Sequence, residues 1–305
     1  MRLLITGSRG TLGIPLSKEL RDRGHEVYGC DLTHCADRHE SRCDIREFRQ
    51  LQLLFEAAEP QMVVHLAAEF GRMNGNDFFE QMWTTNVLGT RNVIDLCVQQ
   101  NVPLIYASSS EAYGRLADEY GVLKEELLDT FAPRHHNEYA LSKWVNERQV
   151  AIARERGLKA VGMRIFNVYG PGEHYNRYRS VVCQFIHASL TGEPVHVTQR
   201  AVRQLLYVDD FVRTAANIVG KFSACEGKNI NIAHPESVTI EYLASLIGVV
   251  QNHLPDPHNV TCKVADITMA KQLLDHDPQV SIQEGVKRTQ KWMAQWHETP
   301  HPPCW

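Results

Sequence analysis

The sequence lacks the features that would place it in a membrane or in an oxidising compartment. No apolar run among its 305 residues approaches the roughly 18–20 residues that a spanning helix needs. Residues 1–6 pass directly into a glycine-rich turn, without the charged and apolar regions of a signal peptide. None of the eight cysteines forms a CxxC pair, so we expect reduced thiols and a cytoplasmic location.

Charge of one sign is not concentrated anywhere in the chain. Lysine and arginine together number 32 against 36 acidic residues, for a formal net charge of -4, and the basic residues are spread out. This distribution argues against partners such as nucleic acid or a membrane, so a small molecule is the expected partner. The spacing of His34, Cys35, His39 and Cys43 matches no common zinc signature, and no metal site is expected.

What is present is an alternation of apolar strand-like runs and amphipathic helical stretches. It predicts an α/β fold, a Rossmann-type doubly wound parallel sheet with helices on both faces and ligands beyond the carboxyl ends of the strands. The expected strands are RLLITG, EVYGCDL, MVVHLAA, LIYASSS and AVGMRIFN, and the expected helices lie near residues 11–23, 48–58, 86–100 and 139–156.

The pattern loosens after Asn167, which predicts a second, smaller unit. We expect a Rossmann domain over 1–166 with a return segment at about 204–234. A smaller C-terminal substrate-binding α/β lobe is expected from 167–203 and 235–305, with the final HETPHPPCW as a frayed end.

The first expected strand leads into TGSRGTLG, which places Gly7, Gly10 and Gly13 between a strand and a helix. Such glycines permit a tight turn and a close approach of the backbone to a pyrophosphate, to which the helix N-terminus offers free N–H groups. Asp31, at the end of the next strand, is suited to hold the adenosine ribose hydroxyls. Together these features predict a dinucleotide site.

The acidic residue at that strand end favours NAD over NADP, because Asp31 would repel a 2′-phosphate. Arg9, in the glycine turn, could accept such a phosphate and is otherwise a solvated loop charge; we give Asp31 the greater weight. Asp44, in CDIRE before the helix expected near 48–58, could bond the adenine amino group or cap a helix, and the two roles can coexist in neighbouring residues.

A second motif joins the end of LIYASSS to a helix. Tyr139 and Lys143 are four residues apart in NEYALSK, a helical sequence, and so share a face. A lysine ammonium near a phenol favours the phenolate and lowers the pKa of the tyrosine, which makes it a usable base near neutral pH. Ser109 can then hydrogen-bond a substrate alcohol while Tyr139 takes its proton and NAD takes the hydride.

The chain contains a control for this motif, because Tyr120 and Lys124 have the same spacing. Gly121 follows Tyr120 directly, and the pair lies too close to Ser109 along the chain for a returning helix. The base is therefore assigned to Tyr139.

In their order, these motifs resemble those of the extended short-chain dehydrogenases/reductases, among them the NAD-dependent nucleotide-sugar epimerases and dehydratases. The motifs that carry the resemblance span nearly the whole chain and are TGxxGxxG, the acidic second-strand end, DIR, VVHLAA, N-x-x-GT at 86–90, SSSEAYG, YxxxK, RIFNVYGPG and R-x-x-x-YVDD at 203–210. The resemblance implies NAD that is reduced and reoxidised within one turnover, a nucleotide-diphosphate sugar as substrate, and a homodimer built on the helices at 86–100 and 139–156.

The resemblance also implies roles for individual residues. The implied catalytic residues are Ser109, Ser110, Glu111, Tyr139 and Lys143. The implied cofactor-binding residues are Gly7, Arg9, Gly10, Thr11, Leu12, Gly13, Asp31, Leu32, Asp44, Ile45, Leu66, Ala67, Ala68, Asn86, Tyr139 and Lys143. The implied substrate-binding residues are Glu69, Asn167, Tyr175, Arg179 and Arg203, of which Arg203 suits a diphosphate because a guanidinium binds phosphate through two hydrogen bonds.

The step that follows oxidation at C4 of the sugar decides the subclass. An epimerase needs no further base, because the ketone rotates and is reduced from its other face. Glu111 matches a carboxylate that dehydratases and decarboxylases use, whereas Ser110 stands where several dehydratases carry aspartate and is a poor general acid. Serine followed by glutamate is more similar to the UDP-glucuronate decarboxylases. Glu111 can also be only a polar strand-end residue.

The expected function is therefore an epimerase or dehydratase that oxidises C4 transiently, with Glu111 as acid or base in the second step. The alternatives are a UDP-glucuronate-type decarboxylase, an NAD(P)H-dependent nucleotide-sugar reductase, and a catalytically silent NAD-binding sensor or scaffold. Intact Ser109, Tyr139 and Lys143 argue against the last. The loop EFGRMNGNDFFEQMW is similar to one in GDP-mannose 3,5-epimerases and departs from the usual pattern, so the sugar is left open.

Overall fold

The computed structural model describes residues 1–198, 200–254 and 262–297 of the chain. Parts of the expected lobe, with Cys304 and nearly all of the terminal HETPHPPCW, lie outside these residues. The cysteines within them are free thiols. Among the helices of these ranges, none combines the length and the apolar character needed to cross a membrane.

The strands are short and lie mostly in parallel ladders. In chain order, the strands of the described residues are β1 (Arg2–Thr6), β2 (Glu26–Asp31), β3 (Glu40–Arg42), β4 (Met62–His65), β5 (Leu104–Ser109), β6 (Val122–Leu123), β7 (Ala160–Ile165), β8 (Val168–Tyr169), β9 (Val195–Thr198), β10 (Val202–Arg203), β11 (Leu206–Tyr207), β12 (Asn229–Ile232), β13 (Val238–Thr239), β14 (Gln251–Leu254) and β15 (Cys262–Ala265). Seven of them form the main sheet, in the order β12-β7-β5-β4-β1-β2-β3, with every neighbouring pair parallel.

Helices fill most of the connections between these strands. In chain order, the helices of the described residues are α1 (Gly13–Asp22), α2 (Phe48–Ala58), α3 (Arg72–Asp77), α4 (Phe79–Trp83), α5 (Thr90–Gln99), α6 (Leu116–Glu119), α7 (Leu127–Thr130), α8 (Glu138–Arg154), α9 (Val181–Thr191), α10 (Val208–Gly220), α11 (Phe222–Cys225), α12 (Ile240–Ile247), α13 (Thr268–Leu274) and α14 (Ile282–His297). The helix expected at 86–100 differs, because a π-helical turn over Thr84–Gly89 joins α4 to α5. Thr84, the first residue of this turn, donates its hydroxyl to the Glu80 carbonyl oxygen (2.7 Å).

The main sheet is buried on both faces, which explains the continuous apolar runs of its strands. In β1, Leu3 and Ile5 pack into one core with Leu16 and Leu20 of α1. Leu4 points to the opposite face and joins a second core formed with α2, α5 and α8. The strand order changes direction between β1 and β4, so the switch point of a doubly wound sheet lies there. The predicted Rossmann-type fold is confirmed.

The smaller sheets lie over the carboxyl edge of the main sheet. One has the order β13-β10-β15-β6, and two further pairs are β8 with β11 and β9 with β14. Because β6 comes from the first half of the chain, this sheet joins segments far apart in sequence. In the return segment, β12 pairs with β7 at the edge of the main sheet. The domain boundaries themselves stay a prediction.

Candidate active site

A cavity of about 1020 Å³ opens along the carboxyl edge of the main sheet. Its wall runs from the glycine turn after β1, past the ends of β2, β4 and β5 and the start of α8, to the loops around α9 and β10. This wall contains every site residue predicted from the sequence except Arg9 and Asn86. The fold therefore brings the two halves of the predicted site together in one continuous space.

The two exceptions contact the site indirectly. The Arg9 side chain is exposed, and its backbone N–H donates to Asp31 Oδ2 (3.1 Å). Asn86 is fully buried; its side chain accepts from Glu69 N (2.8 Å) and donates to Glu69 O (2.9 Å) and Ser142 Oγ (3.0 Å). Asn86 therefore holds the loop that starts at Glu69. The cofactor-binding roles of Arg9 and Asn86 stay predictions.

The glycine turn fits the pyrophosphate of a dinucleotide. Gly7 has a φ of +73°, and a Cβ atom there would lie 2.7 Å from Ala67 N, while one on Gly13 would lie 2.1 Å from Gly7 O. Only glycine allows a turn packed this closely against the end of β4. No side chain caps the start of α1, so the N–H groups of its first turn are suited to an anion. Gly10, Thr11 and Gly13 would hold the NAD pyrophosphate.

Two carboxylates lie at the adenosine end of the cavity. Asp31 Oδ1 accepts a hydrogen bond from Thr33 N (3.1 Å), and Asp31 Oδ2 accepts one from Arg9 N of the glycine turn (3.1 Å). These bonds fix the carboxylate at the end of β2. Asp44 forms an ion pair with Arg46 (2.6 Å) and does not cap α2, whose N-cap is Glu47. The hydrogen bond from the Arg46 side chain contributes most to the lowered pKa of Asp44.

Asp31→Ala is expected to weaken NAD binding by about tenfold or more, since hydrogen bonds to a charged group contribute about 1.5–3 kcal/mol. The preference should move towards NADP, because the charge that repels a 2′-phosphate is gone. Dissociation constants for both dinucleotides measure the change. Asp37→Ala removes an exposed carboxylate further along the same loop and should change neither constant. If the unaltered protein bound NADP as tightly as NAD, Arg9 would outweigh Asp31.

Ser109, Tyr139 and Lys143 meet where β5 ends beside α8. Asn137 caps α8 by accepting from Ala140 N (2.8 Å), which sets the helix to begin just before Tyr139. Ser109 and Tyr139 both line the cavity here, and the Ser109 hydroxyl acts to lower the pKa of the phenol. The buried Lys143 Nζ donates to the Ala107 carbonyl oxygen (3.0 Å) and lies 5.8 Å from the centre of the Tyr139 ring. The geometry therefore places a phenol and a hydroxyl side by side, with an ammonium one turn away.

The protonation of this group differs from the sequence prediction. Burial raises the pKa of Tyr139 to about 12, against the opposing effect of the Ser109 hydrogen bond. Burial also lowers the pKa of Lys143 to about 8. The prediction that Lys143 lowers the pKa of the phenol is therefore wrong for the protein by itself. The physical reason is that desolvation of a phenolate outweighs an ammonium that is bonded to a backbone carbonyl.

The second YxxxK pair is not a comparable site. α6 ends at Glu119, and β6 separates Tyr120 from Lys124, so the two side chains do not share a helix face. Tyr120 packs instead against Phe131, with ring centres 5.4 Å apart. The assignment of the motif to Tyr139 agrees with this placement.

Glu111 lies among three cations that close the sugar end of the cavity. It follows β5 in a short 3₁₀ turn and forms an ion pair with the buried Lys263 of β15. Burial by itself raises the pKa of Glu111, but Lys263, with Arg72 and Arg203, outweighs burial and brings the pKa to about 2. Glu111 is therefore a carboxylate at neutral pH. An ionised Glu111 is suited to the base role of the predicted second step rather than to the acid role. The prediction of an acid or base role for Glu111 stays a prediction.

A second buried ion pair, which is not part of the cavity wall, stabilises the end of β5. Arg164 of β7 donates to Glu147 of α8 through Nε (3.0 Å) and Nη2 (2.9 Å). Ser108, next to Ser109, donates to the same carboxylate (2.5 Å), and Tyr113 OH lies 3.0 Å from Arg164 Nη1. This network fixes β5, β7 and α8 relative to one another.

Sequence reasoning missed Arg72, Glu147, Arg164 and Lys263. Arg72 lies in the unusual loop at 69–83, and Arg164 opens the RIFN motif, so both had a sequence signal that could have found them. Lys263 had none, because it comes from a short strand near the other end of the chain.

The substrate side of the cavity is formed by the loop at 170–180 and by α9. Tyr175 stacks on His187 of α9, with nearly parallel rings 3.4 Å apart. The Arg179 guanidinium lies over the Phe70 ring (4.5 Å), and Arg177 pairs with Asp77 (2.6 Å). These contacts join the loop at 170–180 to the unusual loop at 69–83. Flat rings with cations nearby suit a nucleotide base and a diphosphate.

The parallel sheet, the glycine turn and the serine–tyrosine–lysine group at its carboxyl edge define a dinucleotide-dependent enzyme of the short-chain dehydrogenase/reductase class. The chain belongs to the NAD dependent epimerase/dehydratase family, whose model matches residues 3–233. This match, with relatives that are nucleotide-sugar epimerases and decarboxylases, confirms the predicted family, the NAD cofactor and the enzymatic nature of the protein.

Three relatives illustrate the range of the family. The chain is 27% identical to a UDP-N-acetyl-alpha-D-glucosaminuronate decarboxylase of Bacillus cytotoxicus, over 96% of this chain and 98% of the relative. A crystal structure of the Thermotoga maritima UDP-glucose 4-epimerase with UDP-glucose superimposes with a TM-score of 0.85 at 25% identity, over 98% of this chain and 100% of the other. The structure of MoeE5 with UDP-glucuronic acid and NAD has a TM-score of 0.83 at 27% identity, over 97% of this chain and 100% of the MoeE5 chain.

Proposed function

We propose that the enzyme oxidises C4 of the sugar in a nucleotide-diphosphate sugar transiently and then returns the hydride, as a 4-epimerase. The observation that carries this proposal is the pair of Ser109 and Tyr139 in the cavity wall, with Lys143 Nζ 5.8 Å from the centre of the Tyr139 ring. That pair lines the same cavity as the glycine turn at one end and Arg203 at the other. The cavity is continuous, so a dinucleotide and a nucleotide sugar can meet at the pair.

In the proposed reaction Tyr139 Oη removes the proton of the C4 hydroxyl while Ser109 Oγ holds the same oxygen by a hydrogen bond. NAD, when bound, accepts the hydride from C4 and gives it back. Lys143 keeps the strand end in place through Ala107 O and adds positive charge near the phenol. Because the pKa of Tyr139 is about 12 in the protein alone, the base needs further positive charge, such as that of an oxidised nicotinamide. Arg179 and Arg203 would hold the diphosphate.

Decarboxylation is a second candidate, and the charges around Glu111 support it. Arg72, Arg203 and Lys263 act on this one carboxylate, so positive charge exceeds negative charge around Glu111. Such a wall favours a sugar that bears a carboxylate of its own, which is the kind of substrate named for the Bacillus cytotoxicus relative. Dehydration is less well supported, because expulsion of a hydroxyl needs an acid and Ser110, at the expected position of that acid, is a poor one.

The deciding experiment is product analysis after incubation with UDP-, GDP-, CDP- and dTDP-linked sugars, with and without a C6 carboxylate. An unchanged mass, with proton couplings in the NMR spectrum that show an inverted configuration at C4, supports epimerisation. Loss of carbon dioxide supports the second candidate, and loss of water supports a dehydratase. Stoichiometric consumption of NADH would mean a reductase. Binding of NAD without turnover of any sugar would favour a silent sensor.

Glu111→Gln separates the proposed epimerase from a dehydratase. In an epimerase the two hydride transfers need only Ser109 and Tyr139, so we expect most of the turnover to persist. In a dehydratase the variant should stop with reduced NAD and a 4-keto sugar on the enzyme. Absorbance of NADH during a single turnover makes the distinction. Stalled NADH without product would contradict epimerisation.

We also propose that the enzyme is a homodimer formed through α5 and α8. Leu88, just before α5, and Ile152 of α8 are 53% and 47% exposed. Gln149 Nε2 donates to Val87 O (3.1 Å) and so keeps these segments together. Light scattering at micromolar concentration should give the mass of two chains, and Leu88→Glu with Ile152→Glu should give one. Leu53→Glu, an equally exposed position on α2, is the matched control. A monomeric unaltered protein would contradict the proposal.

A further inference from the structure

We propose that Lys263 is a positioning residue, which fixes Glu111 as an oriented carboxylate beside Tyr139 and sets the charge that Tyr139 experiences. The inference rests on the proposed function only in taking Tyr139 as the base. Lys263 is 4% exposed and is not part of the cavity wall, whereas Glu111 is part of it. The ammonium therefore acts on a substrate through Glu111.

The strand register explains why a lysine lies at this point. β10 and β15 are parallel, with Arg203 opposite Lys263. Residues paired across neighbouring strands project to the same face, so the small sheet presents two cations side by side. Two like charges in register are unfavourable unless an anion lies between them. Glu111, from the turn that follows β5 of the main sheet, supplies that anion and pairs with the buried Lys263.

The position of Glu111 links this ion pair to the proposed base. The Glu111 backbone N–H donates to Ser109 Oγ (3.2 Å), and Ser109, Glu111 and Tyr139 line the same cavity wall. The charge of Glu111 adds to the effect of burial in raising the pKa of Tyr139. Lys263 offsets that charge. A cation on the lobe thus acts on the phenol across the boundary between the two sheets.

Other charged groups near the carboxylate are accounted for. Arg72 of α3 and Arg203 of β10 also act on Glu111. His135 and His136, on the segment before α8, lie within reach of the same charge, but burial lowers the pKa of both, so they are neutral at neutral pH. Near the phenol, the charged group is Lys143, which lies on the same helix as Tyr139 with its Nζ 5.8 Å from the ring centre.

The test follows the titration of the Tyr139 phenol itself in the NAD-loaded protein and so does not depend on finding the substrate. The signal is the ultraviolet difference spectrum of tyrosinate between each protein and the same protein carrying Tyr139→Phe. We expect Lys263→Met to raise the midpoint by at least about half a pH unit, as loss of an opposite charge near Glu111 requires. Lys263→Arg keeps the charge and should titrate like the unaltered protein.

A second comparison covers the case in which Lys263→Met does not fold. Glu111→Gln leaves the lysine charge unopposed and should lower the midpoint of Tyr139. Glu111→Gln combined with Lys263→Met removes both charges of the pair. The Tyr139 midpoint of this double variant should lie above that of Glu111→Gln alone. Equal midpoints in these two proteins, or a Lys263→Met protein that loses only thermal stability, would overturn the role of Lys263. Failure of all tested sugars to react would instead contradict the proposed function and leave this result standing.

Discussion

Tyr139→Phe is expected to reduce turnover by about a thousandfold, within the range of about 10²–10⁴ that a positioned acid–base group contributes. The phenylalanine ring keeps the packing on α8, and only the group that takes the C4 proton is lost. NAD and the nucleotide sugar should therefore bind with nearly unchanged dissociation constants. Turnover with the sugar found by product analysis, and equilibrium binding of both ligands, measure the effect.

Tyr120→Phe is the matched control, because it makes the same change in the other YxxxK pair of the chain. Its ring packs on Phe131 away from the cavity, so turnover should stay at the level of the unaltered protein. An inactive Tyr120→Phe beside an active Tyr139→Phe would contradict the site described here.

Arg164→Met is expected to lower the free energy of unfolding by about 3–5 kcal/mol, the usual effect of leaving one buried charge of a pair without its partner. Arg164 is 1% exposed, and its loss would leave Glu147 buried with only the neutral donors Ser108 and Asn229. Urea unfolding monitored by circular dichroism provides the measurement. Turnover should fall as well, because Ser108 adjoins Ser109 in β5.

Two further variants show whether the effect belongs to the buried pair. Lys18→Met breaks an exposed ion pair with Asp22 and should leave the free energy of unfolding nearly unchanged, because water screens the pair. Arg164→Met with Glu147→Gln removes both charges and should be more stable than Arg164→Met alone. If Arg164→Met were as stable as Lys18→Met, the buried network would not hold the sheet edge as described.

The sequence by itself determined the fold class and the cofactor half of the site. The central strands of the main sheet, β1, β4, β5 and β7, are buried on both faces and largely apolar, and the turn after β1 repeats glycine where only glycine avoids a clash. Both features can therefore be read from local sequence pattern. Ser109 and the pair of Tyr139 and Lys143 were found in the same way. Strand ends and helical spacing place them without any knowledge of distant contacts.

Only the tertiary structure decided the protonation of the site and its sugar end. Burial, which no local pattern reports, raises the pKa of Tyr139, whereas spacing alone predicted that Lys143 would lower it. Lys263 is 152 residues from Glu111 along the chain and reaches it because β15 pairs with β10. Charge and solvation depend on which groups lie within a few ångströms in space, and the folded chain alone sets those neighbours.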